Sequence, residues 1–445
     1  MMVPDRGTAL VLVGVGLLVV TLSTGAVTAP EREITSGNES ETLVGVQGGW
    51  VTGGNVRFYA GSEEVWRESS ADGYFEVSKL SDGTVIAAFA NESATECGAL
   101  GSPCARTGFR HIDPSGSSSP EVISEYSFPV ASLTNSEVHG VDRIDNGTYV
   151  FTDMDAERIA IVDNGSQVWE WPASSFYEAP DDPTSRDWLH INDVDVIDED
   201  RFLVSVRNAN QLVVVERGHG VVEVINADDG GSDSSCTVDG QLQDFDGDGD
   251  VRCGDPAVLD HQHNPQWLGP GAVLVADSDN DRVVELHRTE NGLWEPVWTV
   301  ESANGVALDW PRDADRLPNG NTLITDSLNK RVIEVDETGQ AVWGIGTGSD
   351  IPYEADRLEI GEYSGPFNST VGSDVTRRVP ISDGTGQIDD VDSGSDIPVL
   401  TLAVTGIRGT FEWVPYWFAE LHLTAVVLSL GLIGAGSADK WRNRE

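Results

Sequence analysis

Residues 331–343, RVIEVDETGQAVW, are a clear copy of a unit that recurs along the chain. In this unit an alternating strand is followed by a turn with Gly, Asn or Asp, and then by a second strand that closes on Trp. The unit recurs as NVRFYAGSEEVW (55–66) and RIAIVDNGSQVW (158–169), and in degenerate form at 109–126, 211–225 and 282–298. Because the period within each strand is two residues, helical solenoids are excluded.

A second pattern precedes most of these copies. It consists of a strand, a tight hairpin turn and another strand, as in VDRIDNGTYVFTD (141–153) and ADRLPNGNTLITD (314–326). Four short strands in each unit of roughly 40–50 residues are typical of a β-propeller blade, whereas a two-sheet sandwich would not explain the repeat. We therefore predict an all-β, six-bladed propeller. The first unit lacks its first half, so we expect residues from the far end of the domain to close its blade.

The composition limits the classes of function. The 445 residues carry 74 acidic and 27 basic side chains, for a net charge of −47. A surface this acidic excludes a general nucleic-acid binder, which needs a basic footprint. The carboxylates are spread along the chain and lysine is scarce, which is typical of proteins adapted to high salt, where charge repulsion is screened. Most of these carboxylates are therefore interpreted as solvation.

The two ends of the chain read as membrane segments. Residues 8–29 are uncharged and long enough to span a bilayer, and residues 414–435 form a second apolar stretch followed by Lys440, Arg442 and Arg444, which belong on the cytoplasmic side. Cleavage of the first segment as a signal peptide and its retention as an anchor both stay open. Glu420 and His422 lie in the second stretch, either near its outer interface or as a functional intramembrane pair. The expected organisation is a signal peptide or anchor (1–29), an extracellular propeller (30–345), blade closure and an acidic Gly/Ser/Asp-rich linker (346–400), a transmembrane helix (414–436) and a cytoplasmic basic tail (437–445).

The cysteines and sequons agree with an extracellular domain. Cys97 with Cys104, and Cys236 with Cys253, are close enough in sequence to form loop-closing disulfides in an oxidising compartment, with metal binding as the alternative. Five sequons occur, and two of them, at Asn146 and Asn164, fall in tight turns. The expected glycosylation sites are Asn38, Asn91 and Asn368.

Candidate functional residues fall at corresponding points of the repeats. The first strand of a propeller blade lines the central channel, so residues that precede its hairpin turn should meet at one end of that channel. An alignment of the copies on their turns places four residues at one equivalent position: His139, Asn192, His263 and Arg312. His190 and His261 lie two residues earlier in their blades, and Arg207 follows on the next strand of the blade that holds His190. Four of the chain's 8 histidines in register indicate binding of an anionic ligand or catalysis.

At this point the sequence resembles a known family. The run DWLHINDVDVIDEDRFLVSVRN (187–208) is similar to the bacterial arylsulfotransferase motif, in which Asp-Trp-x-His-x-Asn leads to Ser-x-Arg. LDHQHNPQWL (259–268) and VHGVDRIDNG (138–147) resemble further segments of that family, and the likeness covers roughly residues 130–345. The resemblance implies transfer of a sulfuryl group between phenols without a nucleotide donor. It also implies that His263 is the nucleophile, and that His139, His190 and Arg207 surround the sulfuryl oxygens and the leaving phenol.

The chemistry that the resemblance implies is physically coherent. A neutral imidazole attacks sulfur and splits the transfer into two easier steps, a guanidinium stabilises the transferring group, and a second imidazole moves the phenol proton. We expect no cofactor for catalysis, a small aryl sulfate as donor and a phenolic or glycan acceptor. Asn192, His261 and Arg312 are expected to contact substrate, with a structural ion pair equally open for Arg312.

Alternative functions remain open from the sequence. The same residues suit a non-catalytic propeller that binds an anionic ligand or a surface partner at its channel mouth, and a quinone-dependent or hydrolytic propeller enzyme is a weaker option. His261 and His263 would also suit a metal if Asp260 or His190 supplied a third ligand.

An acidic loop predicts a separate calcium site. DFDGDGDVRCGD (244–255) places carboxylates at alternate positions with Gly at the turn, as in calcium loops, although a solvated acidic loop is the other interpretation. The expected Ca²⁺ ligands are Asp244, Asp246, Asp248, Asp250 and Asp255.

Overall fold

The fold is that of a computed structural model, which describes residues 5–29, 34, 40–48, 53–115, 119–131, 133, 136–228, 230–231, 233–237, 241–358, 398–411 and 413–443. The chain divides into two compact units. One consists of residues 32–388, and the other combines residues 1–31 with 389–445.

The larger unit is a six-bladed β-propeller built from four-stranded antiparallel sheets, which confirms the fold predicted from the repeats. Blade 1 holds β1 (Glu41–Gly48), β2 (Asn55–Ala60) and β3 (Glu63–Glu68); blade 2 holds β4 (Gly73–Lys79), β5 (Val85–Ala94), β6 (Cys104–Asp113) and β7 (Glu121–Val130). Blade 3 holds β8 (Val141–Asp145), β9 (Thr148–Asp153), β10 (Arg158–Asp163) and β11 (Ser166–Pro172); blade 4 holds β12 (Ile191–Val196), β13 (Arg201–Val206), β14 (Gln211–Glu216) and β15 (Gly220–Ile225). Blade 5 holds β16 (His263–Gly269), β17 (Ala272–Asp277), β18 (Arg282–Arg288) and β19 (Trp294–Val300); blade 6 holds β22 (Pro311–Arg316), β23 (Thr322–Asp326), β24 (Arg331–Val335) and β25 (Ala341–Gly346).

A strand from the end of the domain closes the ring. β26 (Ile351–Arg357) pairs antiparallel with β1 and becomes the innermost strand of blade 1, in the order β26-β1-β2-β3. The first unit lacked a first half for this reason. Closure leaves no open edge between the first and last blades.

Small elements lie outside the blades. They are the hairpin of β20 (Ser302–Ala303) and β21 (Val306–Ala307), the helix α2 (Asp233–Cys236), and the 3₁₀ turns Ala173–Ser175, Pro183–Ser185, Arg207–Ala209 and Ser278–Asn280.

The repeated Trp of each unit packs between blades. On β25, Trp343 lies under the Arg357 guanidinium of β26 at 4.1 Å from the ring centre, and on β19, Trp298 lies under Arg316 of β22 at 4.5 Å. Each pair therefore joins the outer strand of one blade to the inner strand of the next. In blades 5 and 6, an aromatic face beneath a largely buried cation stabilises the contact beyond the area it buries.

Both predicted disulfides are present. Cys97–Cys104 joins the ends of β5 and β6 with 5.7 Å between Cα atoms, and Cys236–Cys253 staples the long connection between blades 4 and 5 with 6.1 Å. Of the predicted glycosylation sites, Asn91 lies on β5, where its Oδ1 accepts the Asp72 N–H at 3.1 Å. Asn38 and Asn368 lie outside the described residues.

The smaller unit contains two helices that are long and apolar enough to cross a membrane, α1 (Arg6–Thr28) and α4 (Glu420–Arg442). Each has 23 residues, or about 35 Å at the helical rise. They pack closely through small residues, because a Cβ on Gly14 would lie 2.8 Å from the Ser429 carbonyl oxygen and one on Gly436 would lie 2.5 Å from that of Gly7.

The second apolar segment differs in detail from the expected span of 414–436. Its helix starts at Glu420, and a further helix, α3 (Pro398–Thr410), covers the end of the expected linker.

Candidate active site at one end of the channel

The inner strands of blades 4, 5 and 6 begin with the same unusual backbone. His190, His261 and Trp310 all have left-handed φ values, of 55°, 48° and 54°. For residues other than Gly, this conformation costs about 1 kcal/mol or more and is concentrated at functional sites. The strand register also slips just inside, at Ile191/Asp193, His263/Gln266 and Pro311/Asp313. Such bulges re-aim side chains next to active sites, and here they bracket Asn192 and Arg312 and follow directly on His263.

A buried carboxylate holds the start of blade 4. Glu157 accepts three successive backbone N–H groups, from Leu189 at 2.7 Å, His190 at 2.8 Å and Ile191 at 3.1 Å. Burial raises the pKa of Glu157 to about 8, with a contribution from the Asp187 charge and opposition from these three bonds. The His190 backbone is therefore fixed independently of its side chain.

The His190 side chain is oriented by a second carboxylate. Its Nδ1 lies 2.8 Å from Oδ2 of Asp187, which is itself 7% exposed. Burial lowers the pKa of His190, and the neighbouring Asp187 opposes that shift. The pair directs Nε2 away from Asp187 and stabilises the imidazolium when it forms.

The tautomer of His263 follows from its hydrogen bonds. His263 Nδ1 lies 2.8 Å from Ser278 Oγ and 3.1 Å from the His261 carbonyl oxygen. The Ser278 hydroxyl donates its own hydrogen to the Pro311 carbonyl at 2.7 Å, so Nδ1 of His263 is the donor to Ser278. The lone pair of Nε2 is therefore free. Burial, with help from the charges of Arg312 and Arg207, holds the pKa of His263 well below its ordinary value, which keeps the ring neutral.

His261 forms a second His–Asp pair beside this ring. Its Nδ1 lies 2.7 Å from Oδ2 of Asp279, whose Oδ1 accepts the Trp310 indole N–H at 3.0 Å. Burial alone would raise the pKa of Asp279, but the hydrogen bond and charge of His261 lower it below its ordinary value. Blade 6 thus contributes Trp310 at the position where blades 4 and 5 place His190 and His261.

Tyr353 lies at the centre of these groups. It is fully buried on β26, with ring-centre distances of 5.0 Å to His139 and 6.1 Å to His263, and the Arg312 guanidinium is 4.9 Å from its ring. Within the described part of the chain its hydroxyl has no hydrogen-bond partner. His139 also faces His190, at 5.8 Å between rings. Sequence reasoning missed Tyr353 because the closing strand lies outside the repeat pattern.

Two guanidinium groups give the site its positive charge. Arg207 starts the 3₁₀ turn after β13 and donates to Asn208 Oδ1 at 2.8 Å. Arg312 donates to the Gln47 side chain and lies 4.1 Å from the Trp310 ring centre, and burial lowers its pKa to about 10. Burial, assisted by the charges of both cations, holds the pKa of His139 well below its ordinary value. Neutral imidazoles between fixed cations form an environment suited to an anion.

Asn192 has a structural contact at the position predicted to meet substrate. Its Nδ2 donates to the Gln262 carbonyl oxygen at 2.9 Å, which ties blade 4 to blade 5. Its Oδ1 is buried and has no partner among the described residues. The structure thus brings together all seven residues predicted for catalysis and substrate binding, with Asn192 supporting the strand that carries His263.

The predicted calcium ligands divide between two groups. Asp246 and Asp248 gather with Glu178, and Asp250 gathers with Asp228 and Asp233. Asp244 belongs to neither group and instead accepts the N–H groups of Gly247 at 2.6 Å and Gly249 at 3.0 Å. Asp255 is also outside both groups and accepts the Ala257 N–H at 2.9 Å. His261 gathers with Asp260 and Asp279, and His263 is not a member of that group.

Most of the sequence that forms this site matches the model of a known protein family. The model described as Arylsulfotransferase (ASST) matches residues 49–292, more than half of the chain, from the end of β1 to the turn before β19. The chain belongs to the arylsulfotransferase family. Membership in this transferase family agrees with the resemblance of the 187–208 run, which carries His190 and Arg207.

Other comparisons are more distant. No curated protein sequence matches the chain. Similar solved structures include a protein of unknown function from Bacteroides caccae (14% identity, TM-score 0.45, covering 71% of this chain and 98% of that one). Another is the virginiamycin B lyase of Staphylococcus aureus (11% identity, TM-score 0.38, covering 75% of this chain and 91% of that one). A third is the periplasmic gluconolactonase of Pseudomonas aeruginosa (11% identity, TM-score 0.41, covering 72% of this chain and 99% of that one).

Proposed function

We propose that the protein moves a sulfuryl group from an aryl sulfate to a phenolic or other hydroxyl acceptor through a transient sulfohistidine at His263. The observation that carries this proposal is the hydrogen bonding of His263. Nδ1 donates to Ser278, the ring is neutral, and Nε2 presents a free lone pair beside Arg312. A buried imidazole with one nitrogen fixed as donor is a competent nucleophile.

In the first step, His263 Nε2 attacks sulfur and the bond from sulfur to the aryl oxygen breaks, leaving its electron pair on that oxygen. The imidazolium form of His190, stabilised by Asp187, gives its proton to the phenolate. Arg207 and Arg312 balance the charge of the sulfuryl oxygens. In the second step, neutral His190 takes the acceptor's proton while the acceptor oxygen attacks sulfur. The bond between sulfur and Nε2 breaks, and its electron pair returns to His263.

The test compares His263→Ala with His219→Ala in the full-length chain in detergent and high salt. His219 is a suitable control because its side chain is 70% exposed. With a chromogenic aryl sulfate and no acceptor, we expect a sulfuryl adduct by intact mass in wild type and His219→Ala, and none in His263→Ala. Phenol release that persists in His263→Ala would overturn the assignment of His263 as the nucleophile. If the wild type showed neither phenol release nor adduct, the alternative of a non-catalytic propeller that binds an anion would be favoured.

For localisation, we propose that α1 and α4 hold the protein in the cell membrane with the propeller on the extracellular face and Lys440 and Arg442 in the cytoplasm. The close packing of Gly14 against Ser429 supports retention of α1, since cleavage would remove one side of that contact. N-terminal sequencing of the membrane-bound protein tests this, and a mature chain that starts near residue 30 would contradict it.

The acidic surface, the sequons and the Asp-rich loop carry lesser proposals. We propose stability at high salt, glycosylation of the extracellular domain and a structural Ca²⁺ on the loop near Asp246 and Asp248, with no cofactor in the reaction. The loop's position beside the Cys236–Cys253 disulfide supports a stabilising role.

A further inference from the structure

Deeper in the channel, the inner strands are joined by a closed ring of hydrogen bonds from side chain to backbone. Each inner strand accepts a backbone N–H of the next through one side-chain oxygen, at 2.5–3.2 Å. The six bonds run from Val141 to Glu76, from Val196 to Asp142, from Trp267 to Asp195, from Arg316 to Gln266, from Ala355 to Asp313 and from Val77 to Glu354. We call these six acceptor residues the carboxylate ring, five of which are acidic.

The carboxylate ring encloses a cavity of about 40 Å³, which is room for an ion with a few water molecules. Seven carboxylates line it: the five of the ring, Asp193 and Asp315. Among the described residues that line the cavity, none is a Lys, Arg or His. Such a concentration of buried negative charge is costly unless it is neutralised by protons or by a cation.

Each carboxylate of the ring uses an oxygen to accept the N–H of the neighbouring strand, as Asp142 does for Val196 and Asp195 does for Trp267. The hydrogen bonds of the ring explain why these side chains are present, but they do not balance the charge.

A second observation at the same cavity is independent of the carboxylates. Asn264 lines the cavity, is 9% exposed, and its side-chain Oδ1 accepts no hydrogen bond from the described residues. A buried amide oxygen without a donor costs free energy. It is also a ligand type that Ca²⁺ and Mg²⁺ accept.

We propose that this cavity binds one partly hydrated divalent cation through the carboxylates of Asp193 and Asp195 and the Oδ1 of Asn264. The donor set is entirely oxygen, which selects hard cations such as Ca²⁺ and Mg²⁺ over Zn²⁺ or Cu²⁺. Because Asn264 follows His263 in β16, the ion would fix the strand that carries the proposed nucleophile. The site is separate from the Asp-rich loop between Cys236 and Cys253.

The test measures binding of Ca²⁺ and of Mg²⁺ to the chelator-treated full-length chain in detergent and high salt, by calorimetric titration and metal analysis after dialysis. The background is the double variant Asp246→Asn/Asp248→Asn, which weakens any site on the Asp-rich loop. We expect one divalent ion per chain to remain in this background. We expect it to be lost when Asp193→Asn and Asp195→Asn are added.

A gentler variant guards against misfolding of that combination. Asn264→Gly removes the amide and tolerates the left-handed φ of 35° that Asn264 adopts, and we expect it to raise the dissociation constant about tenfold. The thermal stabilisation given by Ca²⁺ or Mg²⁺ over matched NaCl should shrink in parallel. Retention of full affinity in Asn264→Gly, or absence of a bound ion once the loop carboxylates are replaced, would overturn the proposal. Neither readout depends on sulfuryl transfer.

Discussion

The beginnings of the inner strands and their middles carry opposite chemistry. At the beginnings, His139 and His263 are buried as neutral rings beside Arg207 and Arg312, and His190 pairs with Asp187. Within one to five residues, the strands that follow His190 and carry Arg312 supply Asp193, Asp195 and Asp313 to the cavity. The change from Arg312 to Asp313 takes a single residue.

This difference shows that two kinds of burial serve two purposes. At the strand beginnings, bulges and left-handed residues aim side chains at a common point, where burial and then positive charge keep the imidazoles of His139 and His263 deprotonated. In the middles, the strands use carboxylates to accept the neighbouring blade's N–H groups. Substitutions at the beginnings should therefore affect turnover, whereas those in the middles should affect stability and ion binding.

Among the groups that assist His263, Arg207 should show the largest effect on turnover when it is replaced by Met. Removal of a cation that faces the transferring group costs about 10²–10³-fold in kcat/KM, with little change in Tm because Arg207 is only half-buried. Its charge also lowers the pKa of His263, so the substitution should raise that pKa and move the acidic limb of the pH–rate profile to higher pH. Arg217→Met, at an exposed ion pair with Asp200, is the control. An unmoved acidic limb would contradict this interpretation.

Removal of the carboxylate should lower kcat more in one His–Asp pair than in the other. Asp187→Asn removes the partner of the proposed acid–base His190, and we expect kcat to fall about 10²-fold with KM nearly unchanged. Asp279→Asn affects His261, which does not transfer the proton in our scheme, so the loss should be about tenfold or less. Initial rates across pH for both variants measure this. The reverse order of effects would assign the acid–base role to His261.

The sequence predicted the fold because blades are local repeats. The period-two strands and hairpin turns are visible within one unit, and the missing first half of blade 1 correctly required a strand from the end of the domain. The sequence could not show which residues of that strand matter. Tyr353 reaches the site only through ring closure, and no repeat aligns with it.

At the site, the repeat predicted which residues meet, but it could not predict the contacts that other segments make with them. His139, His263 and Arg312 were predicted to come together because each starts an inner strand. The partners that fix the site residues lie on other segments. Ser278, which bonds His263, follows β17, and Glu157, which holds the backbone beside His190, belongs to blade 3. Such contacts depend on three-dimensional packing between blades. The acidic residues of the channel were read as solvation, although Asp193 and Asp313 are buried.

The stability of the metal-free chain should fall as pH rises from about 4 to about 7, by up to about 1.4 kcal/mol per pH unit for each carboxylate that titrates. The sign follows from the raised pKa of Asp195 and Asp313, about 7 in the folded chain against an ordinary value near 4. The folded state favours the protonated form, so its advantage is complete below the unfolded pKa and disappears as pH approaches the folded pKa.

Urea unfolding in chelator at several pH values measures this slope. Asp195→Asn should flatten it relative to wild type, whereas Asp200→Asn, with a side chain that is 69% exposed, should leave it unchanged. Equal slopes in wild type and Asp195→Asn would show that Asp195 does not bind its proton in the folded chain. Saturating Ca²⁺ should reduce the wild-type slope if the channel ion replaces the protons.

The smallest effect is expected at Gln266, the neutral member of the carboxylate ring. The Arg316 N–H donates to the Gln266 side-chain oxygen at 2.7 Å, and Gln266→Leu removes this acceptor. The substitution should lower the free energy of unfolding by about 1 kcal/mol at every pH. Gln266→Glu keeps an acceptor but adds a sixth acidic residue to the ring. It should therefore cost little at acidic pH, more near neutrality, and tighten binding of the channel cation. If the Leu and Glu variants showed the same pH dependence, charge in the ring would not control its stability, and the hydrogen bonds alone would account for it.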